Sequence, residues 1–171
     1  MASARSQLPA LVLLFLNLLL YFIVIVIASW VVNHAIEKTH ETASVLSVPA
    51  RIFPLWFPMG NLATGFFIIF SLLAGVVGIA TSFTGVGNVL RWDRPSLSAA
   101  VGSSLLSLAL TLLAMGFACK EIDISWAGGT LRTLEVVTII LSATQLVCTG
   151  AIHVAFEEVA PPKWTAAGLY G

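Results

Sequence analysis

The chain has 171 residues, of which 58% are hydrophobic and 9% are charged, and its formal net charge is zero. About a quarter of the residues are charged in an ordinary soluble domain, so this chain lacks the charge to cover a water-exposed surface. The composition therefore excludes a soluble globular domain, and the balanced charge provides no basic surface for nucleic acid. The composition therefore predicts that the lipid bilayer surrounds most of the chain and is its partner.

Four long stretches of the sequence contain no charged residue, and each is continuously apolar, unlike the alternating strands of a membrane barrel. A helix needs about 20 mostly apolar residues to cross the hydrocarbon core. The second stretch begins with Pro54 and Pro58, which favour a loop over a helix interior. The sequence predicts an all-α integral membrane four-helix bundle formed by residues 1–171 as one domain. The predicted spans lie at about residues 8–32, 61–83, 97–119 and 133–156.

The distribution of Lys and Arg residues gives only partial information about which side of the membrane the termini face. The first apolar core is longer than the roughly 7–15 residues of a secretory signal, so we expect it to remain as an anchor. Four spans place both termini on one side, and the Lys and Arg residues divide four against four between the two sides. The short second loop, with Arg91 and Arg94 around Trp92, is typical of a cytoplasmic hairpin. We therefore predict that both termini are cytoplasmic.

Small residues mark the expected contact faces between helices, because close backbone approach drives helix association in lipid. A polar ligand route along the Ser/Thr positions is an alternative, although such hydroxyls usually bond to their own helix backbone. The expected packing residues are Ala74, Gly75 and Gly78 in the second span, Ser103 and Ser107 on a stripe at spacing four in the third, and Gly150 in the fourth.

Glu135 is the main candidate for chemistry, because ionisable residues within membrane spans are often functional. Arg132 is close enough in sequence to pair with it, and an acid in the first turn also complements the helix dipole, which is the structural interpretation. Gln145 and His153 follow on the same helix. Because Glu135 and Gln145 are separated by a rotation of about 280° around the helix axis, the three side chains do not lie on one narrow face. We retain these four residues as a candidate ligand or proton pathway. Asn17 in the first span is expected to form an interhelical hydrogen bond.

The third loop contains the mixed-charge run from Lys120 to Asp123, which is typical of a solvated cap. No metal-ligand cluster, phosphate-binding glycine loop, or nucleophile beside a base is recognisable. The sequence therefore predicts no metal, no cofactor and no enzyme activity.

Four runs of residues carry a family resemblance, and the run from Met115 to Ile122 is the most specific of them. They are Ala28-Ser29-Trp30, the run from Gly60 to Gly65, the run from Leu113 to Ile122, and Arg132-Thr133-Leu134-Glu135 with the later Gln145 and His153. These runs resemble the plant AWPM-like family, the abscisic-acid-induced plasma-membrane tetraspan proteins. The resemblance implies a plant plasma-membrane protein produced with abscisic acid, drought, cold or seed maturation. Transport of abscisic acid into cells has been proposed for that family, but the resemblance implies no set of ligand-binding residues.

Two functions remain open at this point. The first is a facilitator for a small weak acid such as abscisic acid, with Arg132 and Glu135 at the mouth of the fourth span; four helices enclose little volume, so this function favours a homo-oligomer. The second is a non-transporting tetraspan scaffold that organises membrane or partner proteins under stress. The facilitator predicts loss of flux on changing Glu135, whereas the scaffold predicts sensitivity at Gly75 and Gly78.

Overall fold

The computed structural model describes residues 2–45, 62–124 and 129–159, and side chains within residues 7–37, 63–123 and 129–159. These residues form α1 Ala2–Val45, α2 Leu62–Arg91, α3 Arg94–Ile124 and α4 Gly129–Val159. All four helices are long and apolar enough to cross a membrane, over Gln7–Glu37, Ala63–Arg91, Arg94–Asp123 and Gly129–Val159. Each of these stretches is longer than the span predicted from the sequence. Helices α1, α3 and α4 continue beyond their apolar cores to charged residues, and α2 continues through the uncharged residues 84–90 to Arg91.

The helices form an antiparallel bundle in which each packs against two others. Helix α1 contacts α2 and α4, and α3 contacts the same two helices from the opposite side. The Gln7 Nε2 atom donates to the Val89 carbonyl at 3.1 Å, which places the start of α1 beside the end of α2. We call the two ends of the bundle the α2–α3 end and the α3–α4 end, after the connections that they carry. The all-α membrane four-helix bundle predicted from the sequence is therefore confirmed.

Only Trp92 and Asp93 separate α2 from α3. Trp92 has a φ of 51°, a left-handed conformation that reverses the chain tightly and that is uncommon for a residue other than glycine. The amide of Leu97 donates to the Asp93 carbonyl at 3.0 Å, which closes the first turn of α3. Pro95 lies within that turn, where the missing N–H costs no helical hydrogen bond. This connection fixes α2 and α3 as antiparallel neighbours.

The interior contains two apolar clusters with polar side chains between them. At the α3–α4 end, the cluster comprises Tyr21, Val24, Ala28, Val31, Phe67, Ile68, Ala118, Leu131, Leu134 and Leu141. At the α2–α3 end, it comprises Ala10, Leu14, Val89, Leu97, Ala100, Cys148, Ile152 and Ala155. The outer faces carry many exposed large apolar side chains, including Phe15, Phe22, Val76, Phe83, Leu106 and Val147. An apolar exterior around a partly polar interior is the arrangement expected in lipid.

Glycines on α2 allow the closest approach between helices. Gly78 faces the ring of Tyr21, and a Cβ atom added there would overlap three carbons of that ring. A Cβ atom at Gly75 would lie 2.5 Å from Ile25 Cγ1, and Ala74 beside it is buried. Gly75 and Gly78 therefore lie on the face that packs against α1, and Ala74 is buried in the bundle.

The predicted packing residues of α3 and α4 have different environments. Ser107 is fully buried, whereas Ser103 is half-buried and donates to the Ala100 carbonyl of its own helix at 3.1 Å. Gly150 is exposed, and a Cβ atom there would meet no atom within 4 Å. Gly150 therefore has no close interhelical neighbour among the described residues, and the Ser103 hydroxyl bonds within its own helix.

Candidate functional site in the bundle interior

A set of hydrogen-bonded polar side chains crosses the middle of the bundle, and we call it the polar belt. Its members are Asn17 and Tyr21 of α1, Ser104, Ser107 and Thr111 of α3, and Ser142, Gln145 and Thr149 of α4. All eight side chains are buried, with at most 6% of their surface exposed. Buried polar groups in a membrane are expensive unless they are satisfied by one another, so the belt ties three helices together.

Gln145 is the central residue of the polar belt. The Asn17 Nδ2 atom donates to Gln145 Oε1 at 2.9 Å, which joins α1 to α4. The Gln145 Nε2 atom in turn lies 3.2 Å from Ser104 Oγ and 3.3 Å from the Ser104 carbonyl, which joins α4 to α3. A 2.7 Å contact between Ser104 Oγ and Thr149 Oγ1 completes this side. The interhelical hydrogen bond predicted for Asn17 is thus present, with Gln145 as its acceptor.

The Tyr21 hydroxyl forms the second half of the polar belt. It lies 2.8 Å from Ser107 Oγ and 2.8 Å from Thr111 Oγ1, so one residue of α1 binds two successive turns of α3. The Thr111 hydroxyl also donates to the Ser107 carbonyl at 2.7 Å, whereas the Tyr21 hydroxyl is the interhelical partner of Ser107. This contact depends on Gly78, because the Tyr21 ring occupies the space that any side chain at Gly78 would need.

We expect Tyr21→Phe to lower the free energy of unfolding by about 1 kcal/mol, because Ser107 loses its hydrogen-bond partner in a dry interior. Ser107→Ala should have a similar effect. Ser103→Ala is the matched control, because the Ser103 hydroxyl bonds to its own helix, and it should change stability by less than about 0.5 kcal/mol. Titration with sodium dodecyl sulfate in mixed micelles, followed by circular dichroism, measures all three. Equal losses for Ser103→Ala and Ser107→Ala would contradict the assignment.

A small cavity lies beside Gln145 at the α2 side of the belt. Its volume of about 10 Å³ is close to the space needed by one water molecule. The polar atoms around it belong to Thr81, Ser82, Ser104 and Gln145. The cavity can hold a water molecule but not an organic ligand.

Two carboxyl groups are buried at the α3–α4 end of the bundle. Glu135 is 2% exposed and Glu121 is 4% exposed. The Thr64 hydroxyl of α2 donates to Glu121 Oε1 at 2.8 Å. Glu121 Oε2 and Glu135 Oε1 are buried without a hydrogen-bond partner. We call Glu121, Glu135 and Thr64 the carboxyl site.

The four residues of the predicted pathway are divided between the inside and the outside of the bundle. Glu135 and Gln145 are both buried. The buried residues of α4 extend along the helix from Leu131 to Ala155, and they form a face that is wide enough around the helix to include both side chains. Arg132 and His153 are exposed. The expected ion pair between Arg132 and Glu135 is absent among the described residues. The ion pair that is present there joins Lys120 Nζ and Asp123 Oδ2 at 3.0 Å.

The burial of Glu121 corrects the prediction that the run from Lys120 to Asp123 is a solvated cap. Helix α3 continues to Ile124, so Glu121 takes the next inward position after Ala114 and Ala118. Lys120 and Asp123 remain exposed, as a cap requires. Spacings of four and three residues from Ala114 were the signal in the sequence that could have identified Glu121 as an inward residue.

Four apolar helices around a buried polar belt define a multi-pass membrane protein. The comparisons with known proteins agree with this class: the AWPM-19-like family matches residues 15–155, and "Membrane protein PM19L" of Oryza sativa subsp. japonica is 43% identical over 142 residues, covering 82% of this chain and 75% of the rice protein. No solved structure matches. The chain belongs to the AWPM-19-like family, which confirms the resemblance seen in the sequence.

Proposed function

We propose that this protein acts in the plasma membrane of a plant cell during the abscisic acid and dehydration stress response, and that it facilitates uptake of abscisic acid. The family membership and the four apolar helices support a multi-pass membrane location. In this proposal both termini face the cytoplasm, so the α3–α4 end faces the outside, where the acid arrives.

The burial of Glu135 is the observation that carries the proposal. Abscisic acid has an apolar ring and one carboxylate, and its charged form crosses hydrocarbon poorly. Arg132 is exposed at the start of α4 and can attract the anion, while Glu135 lies behind it in the interior. A proton transferred from Glu135 to the bound carboxylate makes the ligand neutral. The neutral acid then moves along an apolar path, and Glu135 regains its proton from the outer solution.

The path for the neutral acid lies outside the closed centre of one bundle. The polar belt bonds to itself and the cavity beside it is water-sized. The exposed apolar faces of the helices are suited to line a path between copies of the chain. A homo-oligomer is therefore part of the proposal.

We expect purified protein in sealed liposomes to take up labelled abscisic acid saturably, and faster with an inward proton gradient. Glu135→Gln should reduce this uptake to the level of empty liposomes, because glutamine cannot release a proton. Glu157→Gln is the matched control, since Glu157 is an exposed acid on the same helix, and its uptake should equal that of the unmodified protein. Saturable uptake that persists in Glu135→Gln would contradict the role of this carboxyl group.

A second candidate is a non-transporting scaffold for membrane or partner proteins. The observation that favours it is the polar belt, in which Gln145 joins three helices and leaves little interior space. In the uptake experiment, folded protein that matches empty liposomes would favour this candidate. Its stability would then depend on Gly78 and Tyr21, while Glu135→Gln would leave assembly intact.

A further inference from the structure

The carboxyl site is formed by three helices that converge at the same level of the bundle. Glu121 lies three residues after Ala118 on the inward face of α3, and Glu135 follows Leu134 on α4. Thr64 lies one helical turn before Phe67 and Ile68 on α2. Ala118, Leu134, Phe67 and Ile68 belong to one apolar cluster, so the two carboxyl groups share its polar end.

Each carboxyl group has an oxygen that is buried and unsatisfied. Glu121 Oε1 accepts from the Thr64 hydroxyl at 2.8 Å, but Glu121 Oε2 has no hydrogen-bond partner. Glu135 Oε1 also has no partner. Two neighbouring carboxylates that are more than nine-tenths buried would repel each other, and each would lose its hydration. The arrangement is stable only if something positive lies between them.

We infer that Glu121 and Glu135 hold a single proton between them, and that this pair is the proton-binding site of the protein. The proton makes one group a donor and leaves the other an acceptor. It thus removes the repulsion and offers a hydrogen bond to the unsatisfied oxygens. In such a pair the proton belongs to both groups jointly, so each carboxyl group controls the protonation of the other.

The charged groups around the pair are few in the part of the chain that the structure describes. On α4, Arg132 is exposed and lies three residues before Glu135. On α3, Lys120 and Asp123 are exposed and pair with each other. Helix α2 contributes Thr64, which does not titrate. Helix α1 presents Ala28 and Val31 to the interior.

Two titratable side chains are described at this end of α1. His34 stacks on the exposed Trp30 ring, with the ring centroids 5.3 Å apart, and Glu37 is exposed and accepts from Asn33. Glu121 and Glu135 are therefore the buried carboxyl groups among the side chains described at this end.

A proton fits the site better than a metal ion. Calcium takes about six to eight oxygen ligands, and magnesium needs six in a near-octahedral arrangement. Among the described residues, no group of three or more His, Cys, Asp and Glu side chains is placed to hold a metal ion. Thr64 adds one neutral hydroxyl, which donates to Glu121 Oε1 at 2.8 Å.

The inference deepens the proposed function by naming Glu121 as the partner that controls Glu135, and in that respect it rests on that function. Its test needs no abscisic acid, however, so the proton site and the transport activity can fail separately.

The inference is tested on the intact protein in liposomes by labelling with dicyclohexylcarbodiimide. This apolar reagent reacts with protonated carboxyl groups in apolar surroundings. Mass spectrometry should locate the label on Glu121 or Glu135 at neutral pH and not on exposed Glu157. In Glu135→Gln, labelling of Glu121 at neutral pH should fall about tenfold or more, because the neighbouring negative charge has been removed. Glu121→Gln should reduce labelling of Glu135 in the same way. Glu157→Gln should leave both rates unchanged.

Three results would overturn the inference. Unchanged labelling of the remaining carboxyl group in both variants would show two independent groups. Protection of the wild-type protein by sodium, potassium, magnesium or calcium ions at constant pH would show that a cation occupies the site. The third result comes from infrared spectra of the wild-type protein, a measurement that requires neither a labelling reagent nor a mutation. A protonated carboxyl carbonyl band that shifts in D₂O is expected at neutral pH, and its absence would mean that the pair holds no proton.

Discussion

Gly78→Ala is expected to destabilise the bundle more than the same change at Gly75, Gly85 or Gly150, by about 3 kcal/mol or more. The added methyl group would overlap three ring carbons of Tyr21. The ring cannot move aside without giving up its hydroxyl contacts with Ser107 and Thr111. Either α1 separates from α2 or α1 loses its anchor on α3, and both outcomes break contacts in the centre of the bundle.

The other glycines provide a graded series for the same experiment. Gly75→Ala should cost about 1–2 kcal/mol, because the atom in the way, Ile25 Cγ1 at 2.5 Å, belongs to a flexible side chain. At Gly85 the nearest atom is Leu14 Cδ2 at 3.0 Å, so the cost should be smaller. Gly150→Ala is the matched control, since no atom lies within 4 Å of the added carbon. It should change stability by less than about 0.5 kcal/mol.

Unfolding in mixed micelles, followed by circular dichroism, measures the whole series on one scale. The expected order of loss is Gly78, Gly75, Gly85 and then Gly150. Similar losses at Gly78 and Gly150 would show that backbone freedom, and not close contact with Tyr21, gives these glycines their importance.

Much of the fold could be predicted because lipid makes charge so expensive. Each predicted span corresponds to one helix, and the turn between α2 and α3 falls between Arg91 and Arg94. The Asn17 hydrogen bond was predictable for the same reason, since an amide within a span has only other helices as partners. Its acceptor Gln145 is also an amide within a span.

The contact face of α3 shows why some of the detail could not be predicted. A stripe at spacing four rotates by about 40° at each step, because four residues exceed one helical turn. Of the residues at spacing four, Ser107 and Thr111 therefore face the core, whereas Ser103 is rotated away from it. The inward residues alternate between spacings of three and four, through Ala100, Ser104, Ser107, Thr111, Ala114, Ala118 and Glu121.

The same geometry explains why Glu121 was missed at the candidate site. Its neighbours Lys120 and Asp123 are charged, and a sequence window containing all three is typical of a solvated loop. The helix instead continues through this run, and its rotation turns one acid inward while the other two charges remain outside. The meeting of Glu121 with Glu135 also depends on how α3 packs against α4, which no local pattern specifies.

Gln145→Leu is expected to lower the free energy of unfolding by about 2 kcal/mol, the second largest effect. Leucine has a similar volume but no polar atoms, so Asn17 Nδ2 would lose its 2.9 Å acceptor and Ser104 would lose a donor. In the low-dielectric centre of the bundle, no water is available to replace them. Thr144→Val is the matched control, because the Thr144 hydroxyl bonds to the Leu141 carbonyl of its own helix at 3.0 Å, and its effect should stay below about 0.5 kcal/mol.

A double-mutant cycle separates the Asn17–Gln145 hydrogen bond from the other effects of these changes. Asn17→Leu and Gln145→Leu each leave one polar partner behind, whereas the double variant removes both. The double variant should therefore be more stable than the sum of the two single losses predicts, by about 1 kcal/mol, which is within the range measured for hydrogen bonds inside membranes. Additive losses would mean that the two amides act independently. In that case the contact of Gln145 with Ser104, and not its contact with Asn17, would hold α4 in the bundle.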